Sequence, residues 1–73
     1  METFHNEQYL RRAISAFYRN LVSLKIDFPD SSFCCEINTK KYTILKNSEI
    51  LAVYRIKNDG YLKRLKRWPK EIM

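Results

Sequence analysis

The sequence predicts an α+β fold in which one N-terminal amphipathic helix packs on a four-stranded antiparallel meander sheet. Three observations predict it. Leu10, Ile14, Phe17, Leu21 and Leu24 recur at steps of four and three, which places them on one stripe of a helix. From Phe33 onward β-branched and aromatic residues alternate with polar ones. Turn formers interrupt that region at short intervals, and links so brief allow only hairpins between neighbouring strands.

The helix is expected over about residues 6–25. Asn6 is its N-cap, because its side-chain oxygen can accept from a free amide of the first turn, and Glu7 complements the positive end of the helix dipole. Glu7 and Arg11 form an i,i+4 pair in the favourable order. Asp27-Phe28-Pro29-Asp30-Ser31-Ser32 reads as a loop, since Pro29 disfavours helical geometry at Phe28. Strands follow at 33–38, 41–46, 49–57 and 61–68, joined by Thr39-Lys40, Asn47-Ser48 and Asn58-Asp59-Gly60. The last link suits a type I turn closed by a left-handed glycine.

Pairing across these turns assigns faces. Ile37 is expected opposite Tyr42, Cys35 opposite Ile44, Phe33 opposite Lys46, Ile44 opposite Leu51 and Tyr42 opposite Val53. The face carrying Cys35, Ile44, Val53 and Leu65 should receive the helix. The other face, with Cys34, Thr43, Leu45, Tyr54, Arg64, Lys66 and Trp68, is then left uncovered. Its apolar and basic content is unlike an ordinary solvated surface and suggests a partner. The same register sets Arg55 opposite Lys63, an unfavourable like-charge pair unless both side chains reach water.

At 73 residues the chain is read as one small α+β domain, residues 1–73. A chain this short buries about 60% of its unfolded surface, so an oligomer is a live option. Its apolar content of 45% exceeds that of disordered chains. The longest apolar run, Ile50 to Tyr54, is far below the ~20 residues of a membrane span. The acidic, polar opening Met-Glu-Thr-Phe-His-Asn-Glu is unlike a secretory signal, so a cytoplasmic location without membrane contact is expected. Cys34 and Cys35 are neighbours on a strand and point to opposite faces, so one thiol is expected inside, one outside, and no bridge between them.

Catalysis and cofactors are not expected. Gly60 is the only glycine, which excludes a glycine-rich phosphate loop, and His5, the only histidine, is near a terminus, whereas a nucleophile and its base must lie within hydrogen-bond reach in a sheltered cleft. Zinc-ligand spacing is missing, and no carboxylate pair stands out for acid/base work. Glu49 is expected to pair with Lys46 across their turn.

Charge is unevenly placed. Residues 1–38 carry four basic and five acidic side chains, whereas 39–73 carry ten basic and three acidic. That asymmetry points to an acidic partner. The run from Tyr54 to Lys70 adds aromatic rings to the cations, and phosphates with unstacked bases are ligands such a set can hold. The candidate binding residues are Lys41, Tyr54, Lys63, Arg64, Lys66, Arg67 and Trp68. Two readings compete: a non-enzymatic basic module, with a regulatory role as one option, that contacts nucleic acid, and a protein adaptor or homodimeric regulatory subunit using the same face without nucleic acid. Arg12 and Arg19, seven apart on the helix, read as a solvated stripe. Neither the Asn-Asp-Gly hairpin nor the Leu-Lys-Arg-Leu-Lys-Arg-Trp-Pro run matches a motif whose chemistry carries over.

Overall fold

A computed structural model describes residues 2–19 and 28–72 of the chain. Its elements are β1 (Glu2–Phe4), α1 (Glu7–Arg19), β2 (Phe33–Ile37), β3 (Lys40–Lys46), β4 (Ile50–Ile56) and β5 (Leu62–Arg64). The strands form one antiparallel sheet in the order β1-β2-β3-β4-β5. The fold is therefore α+β, with five strands where four were expected. The additional strand is β1, three residues that pair Thr3 with Cys35 and Phe4 with Cys34. A segment this short has no alternation for a periodicity argument to detect.

Local chemistry starts α1 where the sequence places it. Asn6 Oδ1 accepts the Tyr9 amide at 3.2 Å, and the Asn6 carbonyl accepts the Leu10 amide at 3.2 Å. Arg11 donates to Glu7 across one turn at 2.7 Å, an exposed pair worth roughly a few tenths of a kcal/mol. The expected end of the helix, with Leu21 and Leu24, lies outside the described residues.

The hairpin turns set the register. Between β2 and β3 the turn residues are Asn38 and Thr39, both at positive φ (50° and 67°), not Thr39 and Lys40. Asn tolerates left-handed geometry, so the turn begins one residue earlier and Phe33 meets Ile44, Cys35 meets Tyr42 and Ile37 meets Lys40. Each expected pair of this hairpin moves by two positions, which leaves the side chains of β2 and of β3 up to Leu45 on their expected faces. Leu51, expected beside Ile44, packs on the opposite side and Ile50 takes its place, because the ladder is irregular after Leu45. At the next hairpin Ile44 meets Val53, with a register shift between Leu45 and Lys46. Asn47 Oδ1 accepts the Glu49 amide at 2.9 Å and fixes this turn, and the expected Glu49–Lys46 pair does not form. The β4–β5 hairpin keeps its expected register, with Arg55 opposite Lys63 and Tyr54 opposite Arg64. Its turn closes through Gly60 N–H to the Lys57 carbonyl at 2.9 Å, with Gly60 at φ 86°.

The helix covers the face expected to be open. Ala13 and Phe17 pack with Leu45, Ala52 and Tyr54, and Ile14, Ala16, Leu51 and Leu62 border that cluster. Small side chains at Ala13 and Ala52 let the helix approach the sheet closely. The opposite cluster of Cys35, Ile37, Tyr42, Ile44 and Val53 is joined by Phe33, Ile50, Leu65, Trp68 and Ile72. Both faces are apolar enough to be covered, so alternation could not say which one the helix would take. The C-terminal strand is shorter than the expected 61–68 because the chain leaves the sheet after Leu65, whose amide reaches the Val53 carbonyl at 2.9 Å. Folding Trp68 and Ile72 onto the second face buries apolar surface that a longer exposed ribbon would leave in water.

Both cysteines are consequently buried and free, which corrects the expectation of one outward thiol. The Cys34 sulfur lies 3.5 Å from Thr43 Oγ1 on the helix side, while Cys35 belongs to the opposite cluster. Among the described residues no helix is long and apolar enough to cross a membrane.

Candidate functional site

Two hairpin turns, at residues 38–39 and 58–60, end the sheet on the same side, because β3 begins where β4 finishes. Three shallow clefts surround the β4–β5 turn. The first lies between that turn and β3, holds about 290 Å³, and is lined by Lys40, Lys41, Arg55 and Lys57 with Tyr9 and Gly60 among its neutral walls. The second shares Arg55 and Lys57 and adds Lys63. The third, of about 400 Å³, opens between the turn and the helix and is lined by Arg12, Arg19, Ala16, Tyr61 and Leu62.

This end of the molecule is electrostatically one-sided. Asp59 is the carboxylate that lines the clefts, and its Oδ1 accepts the Tyr61 amide at 3.1 Å. Among the described residues none of the lining cations is ion-paired. Arg12 donates from Nη1 to the Gly60 carbonyl at 3.2 Å, which ties the helix to the turn while leaving the guanidinium charge unneutralised. Lys41 Nζ sits 5.8 Å from the Phe4 ring centre, an attraction that leaves its charge in water. Like charges gathered this way raise the local positive potential and favour anion binding.

The candidate residues from the sequence do not form one site. Lys41 and Lys63 belong to the basic sheet end. Arg64 stands on the helix side with its guanidinium carbon 5.7 Å from the Phe17 ring centre. Tyr54 is 2% exposed beneath the helix and is not available as a stacking platform. Trp68 packs half-buried on the opposite face, so it does not join Tyr54 on one open surface. Arg64, Lys66 and Trp68 instead line a separate groove with Leu51, Ala52 and Leu65, where β4 extends past the end of β5. Arg67 is exposed beside it.

The candidate residues from the sequence do not include Lys40, Arg55, Lys57 and Tyr61, although the signal that gathers them was present. The Asn-Asp-Gly turn fixes what flanks it, so Lys57 and Tyr61 must stand at its two shoulders and Arg55 and Lys63 two pairs further down. Among the described residues no group of three or more His, Cys, Asp or Glu side chains is placed to hold a metal ion. No protein-family model matches the chain, and comparison with curated proteins and with solved structures finds no match.

Proposed function

We propose that the chain is a non-enzymatic module that binds nucleic acid through its phosphate backbone, at the basic end of the sheet around residues 58–60. The observation that carries this reading is the set Lys40, Lys41, Arg55, Lys57 and Lys63, gathered by two turns with no carboxylate ion-paired to any of them. Lys and Arg at such a surface neutralise phosphates and release condensed counterions. Reversing charge at Arg55 and Lys57 together should weaken binding of a short labelled oligonucleotide at low salt by at least about tenfold. Equal binding by the double variant would move the interface elsewhere, and no binding by the unaltered chain would end the nucleic-acid reading.

A second reading, contact with a protein including another copy of this chain, is favoured by the groove beside Trp68. There Leu51, Ala52 and Leu65 offer apolar walls at a sheet edge, and Arg64 and Lys66 flank them. Aromatic and arginine side chains around an apolar centre are the composition of protein interfaces. Light scattering across a concentration series tests the copy-to-copy form. A dimer whose Trp68 emission shifts on dilution supports it, and a monomer at all concentrations rejects it.

A further inference from the structure

Resting on the phosphate-binding reading, we infer that Tyr61 and the cleft between the β4–β5 turn and the helix form a base-stacking subsite, so that the ligand is a single-stranded nucleic acid. Tyr61 is 70% exposed, so its ring faces are open to a ligand. Its backbone is held at both polar groups: the carbonyl accepts the Lys57 amide at 2.8 Å, and the amide donates to Asp59 Oδ1 at 3.1 Å. The ring is therefore displayed on an ordered turn and loses little freedom on binding.

The lining of the adjoining cleft selects for a base over a second phosphate. Ala16 and Leu62 supply apolar wall, Arg12 and Arg19 supply planar guanidinium groups, and Asp59 leaves this cleft less positive than the one lined by Lys40, Lys41, Arg55 and Lys57. A neutral heterocycle finds an aromatic face, apolar contact and hydrogen-bond donors in the same place. Its volume of about 400 Å³ lies at the lower end of the range for small-ligand sites. Gly60 borders both this cleft and the one lined by Lys40, Lys41, Arg55 and Lys57. A strand can thus set a base on Tyr61 while the adjoining phosphates lie on the cations. Bases in a duplex are stacked on one another and cannot do this without unpairing.

The test compares oligo(dT) with an abasic oligomer of the same length, which presents the same phosphates without bases, against the unaltered chain, Tyr61→Phe and Tyr61→Ala. Binding of oligo(dT) should be about tenfold or more tighter than the abasic oligomer for the unaltered chain and Tyr61→Phe. Tyr61→Ala should lose that preference while holding the abasic oligomer unchanged. Equal affinity of the unaltered chain for both oligomers overturns the stacking subsite and leaves the phosphate reading standing, and it needs no variant to fold. So does tighter binding of duplex than of single strand. Failure of both oligomers to bind removes the phosphate reading itself. Oligo(U) against oligo(dU) in a parallel arm, which differ only at the 2′-hydroxyl, assigns the source: tighter binding of oligo(U) points to RNA and tighter binding of oligo(dU) to DNA.

Discussion

Arg55 and Lys63 stand directly opposite each other on β4 and β5, both exposed, with no carboxylate ion-paired to either. Two like charges on a cross-strand pair cost stability, so this hairpin carries a local conflict in its folded state. Under the proposed phosphate-binding role, this repulsion would be relieved by an arriving anion.

Lys63→Glu should separate the two effects. The substitution converts a repulsive cross-strand pair into an attractive one and should raise stability by about 0.5 kcal/mol, read as a higher urea midpoint with an unchanged slope. The same variant should bind oligonucleotide more weakly. A variant that is both less stable and equally competent in binding contradicts the role given to this pair.

Thr39 offers a second stability test. It is a β-branched residue at φ 67° in the β2–β3 turn, where left-handed geometry is costly for any residue with a Cβ. Thr39→Gly produces the Asn-Gly pair that this turn type prefers and should stabilise by about 1 kcal/mol, after allowing for the greater freedom glycine has when unfolded. Urea unfolding measures it, and a loss of stability would mean that the Thr39 hydroxyl bond to the Asn38 carbonyl outweighs the backbone cost.

Tyr54 is buried with a hydroxyl that has no hydrogen-bond partner. Removing an unsatisfied buried group relieves its desolvation cost, so Tyr54→Phe should be neutral or stabilising by up to about 1 kcal/mol. Thermal unfolding of the variant is the check. A clear destabilisation would show that the hydroxyl is satisfied by ordered water in solution.

Alkaline pH should loosen the fold. Burial holds the Cys35 thiol above its ordinary 9.0, with neighbouring Cys34 adding to the rise. Burial likewise raises the Tyr54 phenol above 10.0, against a smaller opposing pull from Arg64. The folded chain therefore retains protons that the unfolded chain releases, so this stability is full below about pH 9 and is lost as pH rises above it. Urea midpoints should be about equal at pH 7 and 8 and fall from pH 9 to 10, and a flat profile rejects the assignment. Thiol titration at neutral pH should find both cysteines slow to react until the chain unfolds.

What the sequence made legible was local. The Asn6 cap, the Glu7–Arg11 pair and the register of the Asn-Asp-Gly hairpin each depend on residues a few positions apart, and all three form as expected. The covered face was not legible, because Leu45 and Tyr54 on one side and Ile44 and Val53 on the other are equally ready to be buried. That ambiguity decided the aromatic candidates: Tyr54 went beneath the helix and Trp68 onto the opposite face, while Tyr61, which was not among them, stayed in water at the shoulder of the turn. The basic sheet end needed the fold, since Lys40 and Lys57 become neighbours only when β3 and β4 pair.

The salt dependence of single-strand binding tests the phosphate reading most directly. For a single strand each neutralised phosphate contributes about −0.7 to the slope of log K against log salt, so engagement of Lys40, Lys41, Arg55, Lys57 and Lys63 predicts a slope of about −3.5. Charge reversal at Arg55 and Lys57 should flatten it to about half that value. A slope near zero, or one that the double variant leaves unchanged, contradicts binding at the end of this sheet.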